Sequence, residues 1–271
     1  MPTKYWEVSD RAIYLHYAGA TTLPGVPPDL SRGRKLLFIH AAGSNGHNWH
    51  HQIDHLGRTH SPLAFDFPGH GRSTGTEGLA SIREYSDFVV AIADALSLTT
   101  FVIAGRAMGS IIALDVAARY PHLVEALVLI SATAKLNLSS ERLSGLQAVA
   151  SGRVSQAFTN DGFARATIEK QPDVIRESWM EQIKTDPRVR YTDLLACVQT
   201  DLRGDITKVR QPTLLIAGAE DQVTTPADAE FIAGKISGAR VRIIADAAHN
   251  SPIERPAEVN AAIDNFLAEL R

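Results

Sequence analysis

The segment from Gly105 to Gly109 has the spacing of a strained turn that can hold a catalytic side chain. It follows the apolar run Phe101 to Ala104 and precedes a helix-like stretch from Ser110. Glycines stand two residues either side of Ala107, where a Cβ would collide with the backbone of a sharp strand-to-helix turn. Such a turn can present a nucleophilic serine, but alanine stands here. Taken alone the pattern is weak, and a tight turn without chemistry is the ordinary explanation.

Two other segments carry features of the same kind of site. His40-Ala41-Ala42-Gly43 follows an apolar run and is similar to an H-G-x-G loop, whose backbone N–H groups help to bind an oxyanion. Alanine at position 41 replaces the usual glycine. The eight residues DFPGHGRS, 66 to 73, fit the pattern D-x-x-G-x-G-x-S.

A candidate acid and a candidate base come later in the chain. Asp221 lies in a loop after the apolar run Thr213 to Ala217, and His249 lies in a loop that also contains Glu254 and Pro256. In a triad the histidine takes the proton of the nucleophile, and the acid holds the imidazole in the correct tautomer. The order along the chain is therefore nucleophile position, acid and base.

Together these five segments resemble the α/β-hydrolase superfamily, whose triads run in this chain order. The resemblance covers most of the chain outside one inserted region. It implies that Ala107 occupies the nucleophile position, that Asp221 is the acid and that His249 is the base. It also implies that the backbone N–H groups of Ala42 and Met108 form the oxyanion hole.

Within that superfamily the chain is most similar to the group of 3-oxoadipate enol-lactonases and carboxylesterases that have a short helical cap. Residues 246–270 and the segment from Tyr191 to Thr213 carry this narrower resemblance. The implied reaction is hydrolysis of a small carboxylic ester or lactone by acyl transfer, with no cofactor and no metal. Hydrolases of carbon–carbon bonds share the same triad, so that reaction class remains an alternative.

Alanine at position 107 removes the only atom that could attack, and such a loss costs about a millionfold in rate in a well-studied protease. The chain is therefore expected to bind substrate but scarcely to turn it over. Three explanations remain open. They are an experimental serine-to-alanine change, a natural ligand-binding protein on the hydrolase scaffold, and general-base chemistry by the histidine, as in cofactor-independent dioxygenases and hydroxynitrile lyases. We favour the first, because Ala107 is the smallest change that silences an otherwise complete site.

Several side chains are candidates for contacts with substrate. Arg106 could pair with a substrate carboxylate, although a salt bridge beneath the turn is the favoured interpretation. Arginines of the inserted region could bind an acidic substrate through bidentate hydrogen bonds. The predicted substrate-binding residues are His40, Trp49, Arg106, Trp179 and Tyr191.

Four histidines lie close together at positions 47, 50, 51 and 55. His47 and His51 have the i, i+4 spacing of metal-binding helices. No acidic or cysteine partner follows in a recognised pattern, so we interpret these histidines as surface or pocket-rim residues and predict no metal.

The elements that would position these residues alternate between buried strands and amphipathic helices. The alternation predicts an α/β fold with a mostly parallel central sheet and helices on both faces. Predicted helices cover residues 81–96, 110–120, 226–236 and 256–270, and residues 19–33 predict an irregular loop. The short apolar runs predicted as strands are residues 35–39, 63–65, 101–104, 126–130, 213–217 and 241–244.

Between residues 135 and 208 no strand run appears and the apolar spacing is helical. We predict a helical cap over residues 135–208 and an α/β-hydrolase core formed by residues 1–134 and 209–271. An insertion at this place would lie over the carboxyl ends of the strands, where open α/β sheets bind ligands.

Composition limits the class of partner. The formal net charge is −3 and no long basic run occurs, so neither nucleic acid nor a membrane surface is expected as a partner. No stretch has the roughly 18 apolar residues of a membrane span. The single cysteine, Cys197, cannot form an intramolecular disulfide, which fits a reducing compartment. We predict a cytoplasmic protein that acts on a small molecule; the oligomeric state stays open.

Overall fold

A single sheet of eight strands forms the centre of the computed structural model, which describes residues 1–270. Its strands stand in the order β1-β2-β4-β3-β5-β6-β7-β8. All the runs predicted as buried strands lie within β3 to β8. In chain order the strands are β1 (Thr3–Val8), β2 (Arg11–Tyr17), β3 (Lys35–Ile39), β4 (Ser61–Phe65), β5 (Phe101–Arg106), β6 (Val124–Ile130), β7 (Thr213–Gly218) and β8 (Arg240–Ile244).

Strands β3 to β8 run parallel, whereas β1 and β2 add an antiparallel pair at one edge. This confirms the predicted mostly parallel sheet. The pattern of short apolar runs did not predict β1 or β2. Most of β1 is partly exposed, as an edge strand allows, and its polar residues break any such run.

Helices cover both faces of the sheet, as predicted. Helices α2, α3 and α8 pack on one face, and α1 and α10 pack on the other. The helix α2 begins where the Ser81 hydroxyl accepts a hydrogen bond from the Glu84 N–H at 3.2 Å, a typical N-cap. The helices are α1 (His50–Leu56), α2 (Ile82–Ala95), α3 (Met108–Arg119), α4 (Ser140–Ala150), α5 (Arg165–Lys170), α6 (Pro172–Gln182), α7 (Pro187–Gln199), α8 (Pro226–Ala233), α9 (Ser251–Glu254) and α10 (Pro256–Glu269).

The chain between β6 and β7 contains α4 to α7 and no strand among the described residues. We call α4 to α7 the inserted helices. Helix α4 buries none of its side chains, whereas α7 buries Val189, Asp193, Ala196 and Cys197. The insertion is therefore held to the sheet mainly through α7. The exact division into core and cap stays a prediction.

Within residues 1–270, no helix combines the length and the apolar character that crossing a membrane requires.

Candidate active site

Ala107 lies at the sharp turn between β5 and α3, with φ 51° and ψ −113°. A positive φ is strained for any residue with a Cβ, at a cost of about 1–3 kcal/mol. The flanking glycines make the turn possible. A Cβ on Gly105 would stand 2.1 Å from the Gly109 carbonyl oxygen, and a Cβ on Gly109 would stand 2.3 Å from that of Ile39. The backbone is therefore that of a nucleophile elbow, although the side chain is alanine.

The loops after β7 and β8 bring Asp221 and His249 together. His249 Nδ1 lies 3.0 Å from Asp221 Oδ2. The carboxylate is fully buried, while the imidazole keeps 17% of its surface exposed toward the cavity described below. Because Nδ1 is hydrogen-bonded to Asp221, Nε2 is the nitrogen that can exchange a proton with a reacting group.

Asp221 is held in its ionised form. Its Oδ1 accepts hydrogen bonds from the N–H groups of Val223 at 2.8 Å and Thr224 at 3.0 Å. Burial alone would raise the pKa of Asp221, but the hydrogen bond and charge of His249 and these backbone donors outweigh it and lower the pKa. The acid is therefore a hydrogen-bond acceptor at neutral pH, as a triad requires.

Both predicted oxyanion donors face the same cavity. Ala42 and Met108 line it beside Ala107 and His249. Within residues 1–270 neither backbone N–H donates a hydrogen bond to another protein group. Free N–H groups on residues that line a cavity beside the nucleophile position are suited to bind a developing negative charge.

The cavity has a volume of about 220 Å³, room for a small molecule. The sheet end and its loops form its floor, and the inserted helices form its roof. Arg106 and Trp179, predicted to contact substrate, are both part of the lining. From the inserted helices the lining includes Arg142, Leu146, Ser178, Trp179, Gln182, Arg190, Leu194 and Cys197.

The predicted salt bridge of Arg106 beneath the elbow is wrong. No carboxylate of residues 1–270 lies within 4.0 Å of its guanidinium, which instead donates to the side-chain oxygen of Asn250. Burial lowers the pKa of Arg106 to about 10, and the charges of Glu254 and Asp221 only partly oppose this. Arg106 therefore remains charged at neutral pH next to the histidine loop.

The prediction that His40, Trp49 and Tyr191 contact substrate is corrected, because none of them lines the cavity. His40 is buried, with Nδ1 2.9 Å from the Ala41 carbonyl oxygen and Nε2 accepting from the Phe67 N–H at 3.1 Å. Its pKa is lowered to about 3 by burial, so it is a neutral structural residue. Trp49 is buried against Phe38, with ring centroids 4.9 Å apart. Tyr191 lies partly exposed on α7.

Two other side chains near Ala107 carry potential nucleophiles, but neither is suited to attack a substrate. Ser110 is buried, and its hydroxyl lies 2.7 Å from the Gly105 carbonyl oxygen. Cys197 lines the cavity, but burial and the charge of Asp193 raise the pKa of its thiol far above the ordinary value. A thiol that stays protonated is a poor nucleophile. Neither residue takes the place of a serine at position 107.

Sequence reasoning missed the role of Asp193, which ties α7 to the oxyanion loop. Its Oδ2 accepts from the Gly43 N–H at 2.8 Å and lies 2.8 Å from His70 Nε2, while Oδ1 accepts from the Tyr85 hydroxyl. The helix and the loop approach closely, since a Cβ on Gly43 would stand 2.6 Å from Arg190 Cβ. The residue after the predicted oxyanion donor is thus fixed from the inserted helices.

Glu254 ties the histidine loop to the inserted region, as Asp193 ties α7 to the oxyanion loop. One carboxylate oxygen accepts from the N–H groups of Ala248 and Asn250, which flank His249. The other accepts from the Ala164 N–H at 2.7 Å and the Thr167 hydroxyl at 2.9 Å. The sequence pattern singled out this glutamate, but only the structure shows that it joins the base to the inserted helices.

Asp193→Asn is expected to lower the free energy of unfolding by about 3–5 kcal/mol, because His70 loses its counter-ion and must either stay charged while buried or give up its proton. Both side chains of the pair are fully buried. The measurement is urea denaturation near pH 5.5. Asp201→Asn, which breaks an exposed ion pair with Arg203, serves as the matched control and should leave stability unchanged. Equal stability of Asp193→Asn and the parent chain would contradict this prediction.

The same pair predicts how stability depends on pH. Burial alone would lower the pKa of His70, but the charge and hydrogen bond of Asp193 prevail and raise it. Burial alone would raise the pKa of Asp193, but His70 and the Tyr85 and Gly43 donors lower it. The pair therefore contributes fully between about pH 4 and 6.5, where both groups are charged even in the unfolded chain. Its contribution falls as His70 deprotonates at higher pH and as Asp193 protonates at lower pH.

Residues 35–256 match the family described as alpha/beta hydrolase fold, so the chain belongs to the α/β-hydrolase family. This confirms the resemblance and the predicted fold. Among curated relatives, a 3-oxoadipate enol-lactonase of Acinetobacter baylyi is 25% identical over 84% of this chain and 86% of its own length. A pimeloyl-[acyl-carrier protein] methyl ester esterase of Neisseria meningitidis is 29% identical over 85% of this chain and 91% of its own length.

Solved structures agree with this assignment. A hydrolase from Pseudomonas aeruginosa superposes with a TM-score of 0.82 at 27% identity and covers 98% of both chains. The enol-lactonase from Burkholderia xenovorans superposes with a TM-score of 0.84 at 23% identity over 98% of this chain and 100% of its own, which supports the fold alone. Family and relatives together support a hydrolase function.

Proposed function

We propose that this protein is a serine hydrolase of small carboxylic esters or lactones, present here in a form with alanine at the nucleophile position. The observation that carries the proposal is the hydrogen bond of 3.0 Å between Asp221 and His249, whose imidazole lines the same cavity as the strained turn at Ala107. The relatives named for ester and enol-lactone hydrolysis support the same reaction class. The present form is expected to bind substrate and scarcely to turn it over.

The mechanism requires a serine hydroxyl at position 107. His249 takes the hydroxyl proton on Nε2, because Nδ1 is engaged by Asp221. The oxygen attacks the carbonyl carbon, and the N–H groups of Ala42 and Met108 stabilise the oxyanion of the tetrahedral intermediate. His249 then returns the proton to the leaving oxygen, and a water repeats the sequence to release the acid. With alanine, only binding and the oxyanion contacts remain.

Cationic side chains on the cavity wall suggest a substrate with negative charge. Arg106, Arg142 and Arg190 all line the cavity, and none has a carboxylate of the described residues within 4.0 Å. Burial, together with the charge of Arg142, lowers the pKa of Arg190, as is expected where a cation lacks a counter-ion. A carboxylate on the substrate would supply that counter-ion through charge-assisted hydrogen bonds.

Arg190→Gln in a form with serine at 107 is therefore expected to raise KM for a carboxylate-bearing ester by about 10- to 100-fold, the value of one charge-assisted hydrogen bond. For the matching neutral ester KM should change little, and kcat should be similar for both. Arg188→Gln removes a neighbouring exposed arginine that pairs with Asp186, and it should change neither constant. An equal effect on both esters would show that the charge of Arg190 does not select the substrate.

The inserted helices supply the roof of this cavity, and we propose that residues 135–208 act as a cap that shapes substrate choice over a core of residues 1–134 and 209–271. The lining contributed by α4, α6 and α7 supports this role. A cytoplasmic location is part of the proposal and is supported by the single, buried cysteine.

A natural ligand-binding protein on the same scaffold is the second candidate, and Ala107 itself is the observation that favours it. A general-base enzyme that uses His249 and Asp221 without a nucleophile is a third, and a carbon–carbon bond hydrolase would share the triad. These alternatives predict different behaviour of the chain with alanine at 107.

The experiment that tests the proposal exposes the present chain and Ala107→Ser to a panel of short-chain esters and enol-lactones. Binding is measured by calorimetry and ligand integrity by mass spectrometry. We expect both forms to bind the same panel member and only the serine form to hydrolyse it. Binding without turnover by either form would replace the proposal with the binding protein, and equal turnover by both would favour the general-base enzyme.

A further inference from the structure

A histidine pair outside the catalytic cavity meets a glutamate from the inserted helices. His47 belongs to a short 3-10 helix, Gly46–Trp49, and His50 begins α1. Glu177 lies on α6. Its Oε1 is 3.8 Å from His47 Nε2 and 3.9 Å from His50 Nε2, and the three side chains can place their ligand atoms within 4.8 Å of one another. The acidic partner that the local sequence lacked therefore comes from a distant helix.

The rings of His47 and His50 stack, with centroids 5.0 Å apart and an interplanar angle of 18°. One ring has to turn before both Nε2 lone pairs meet at one ion, because a bond from a ring nitrogen to a metal lies in the plane of the ring. His50 Nδ1 lies 3.1 Å from the His47 carbonyl oxygen, so it carries the proton and leaves the lone pair on Nε2. A histidine ligand typically donates its second N–H to such an acceptor, which fixes its tautomer and orientation.

The separations between the ligand atoms suit a shared ion better than direct hydrogen bonds. A hydrogen bond between a ring nitrogen and a carboxylate would bring the two atoms to about 2.7–3.2 Å. Bonds of about 2.0–2.1 Å to a tetrahedral Zn²⁺ hold neighbouring ligand atoms about 3.3 Å apart. The Glu177 side chain is 53% exposed, so it is free to turn toward such an ion.

From this arrangement we infer that His47, His50 and Glu177 form a binding site for a divalent transition metal ion, with Zn²⁺ as the ion that the donor set favours. Two imidazoles and one carboxylate suit zinc, whereas Mg²⁺ and Ca²⁺ prefer oxygen ligands alone. Water completes the coordination, because both rings are partly exposed. Glu181, one helical turn after Glu177, has Oε1 4.0 Å from His47 Nε2, but its charge is offset by an ion pair with Lys184.

Such an ion would join α6 to the loop that follows β3. The neighbours of two ligands, Asn48 and Ser178, both line the catalytic cavity. Metal binding would therefore fasten the roof of the cavity to its floor at one side. It takes no part in the acyl transfer, since none of His47, His50 and Glu177 lines the catalytic cavity.

The test is Zn²⁺ titration of the full chain, without an affinity tag and after treatment with a chelator. We expect one Zn²⁺ per chain, and X-ray absorption at the zinc edge should show two imidazoles in the first shell. Glu177→Gln and His50→Gln should each weaken binding by about tenfold or more. His51→Gln alters a neighbouring histidine outside the cluster and should bind as the parent chain does.

Thermal unfolding provides a second readout. At Zn²⁺ concentrations about 100 times the Kd of the parent chain, the parent chain and His51→Gln should gain several degrees in Tm, and Glu177→Gln should gain about half as much or less. Absence of stoichiometric binding, a first shell without imidazole, or unchanged affinity in both Glu177→Gln and His50→Gln would overturn the inference. Because no substrate is present, none of these outcomes depends on the hydrolase proposal.

Discussion

Ala107→Ser is expected to raise kcat for the preferred ester or lactone by about a millionfold, the scale of the loss when a triad serine is removed from a protease. The backbone at position 107 already has the conformation of a nucleophile elbow, so serine needs no rearrangement of the turn. His249 and the N–H groups of Ala42 and Met108 already line the same cavity. KM should change little, because the alanine form retains the binding contacts. Steady-state hydrolysis by both forms measures the effect.

The control for this prediction is the double variant that combines Ala107→Ser with His249→Gln. Removing the base should return kcat to the level of the present chain, because the members of a triad act as a unit and their effects are not additive. If the gain persisted in the double variant, the new hydroxyl would be activated by something other than His249. The assignment of His249 as the base would then be wrong.

In the form with serine at 107, Asp221→Asn is expected to lower kcat by about four orders of magnitude. The carboxylate accepts the proton of Nδ1 and thereby leaves Nε2 free to act as the base. An asparagine amide can instead donate to Nδ1, which would move the proton of the neutral ring to Nε2. The ring would then be unable to accept the serine proton. Steady-state kcat against pH measures the loss.

Thr224→Val is the matched control for Asp221→Asn. The Thr224 hydroxyl contacts Asp221 Oδ2 at 3.0 Å and His249 Nδ1 at 3.2 Å, but it does not determine which ring nitrogen is protonated. Its loss should cost about tenfold or less, the value of a neutral hydrogen bond. Retention of activity within tenfold in Asp221→Asn would remove Asp221 from the triad, whereas a large loss in Thr224→Val would assign the orienting role to the hydroxyl.

The parts of the site that follow buried strands could be predicted from the sequence. In a parallel sheet the carboxyl ends of the strands meet at one edge, so loops after apolar runs converge. The glycines at 105 and 109 indicated a sharp strand-to-helix turn in which a Cβ at either position would collide with backbone, and the structure has that turn. The loops that hold Asp221 and His249 also follow strands, and their side chains lie together.

Contacts between distant segments could not be predicted in this way. His40 and Trp49 belong to the loop after β3, but loop direction decides whether a side chain enters the cavity or the interior, and spacing does not report it. The buried positions of the inserted helices could not be predicted from the spacing of their apolar residues. Helix α4 has no buried side chain, and α7 buries a carboxylate at Asp193 because a partner in another loop neutralises it.

The bond from Asp193 to the Gly43 N–H has a consequence for protein engineering. A chimera that exchanged residues 140–199 for the insertion of another hydrolase would remove that carboxylate together with the cavity roof. Three buried donors, on Gly43, His70 and Tyr85, would then lose their shared acceptor. Grafts that keep an acid at this place should fold and retain the loop, while those without one should fail before substrate choice can be measured.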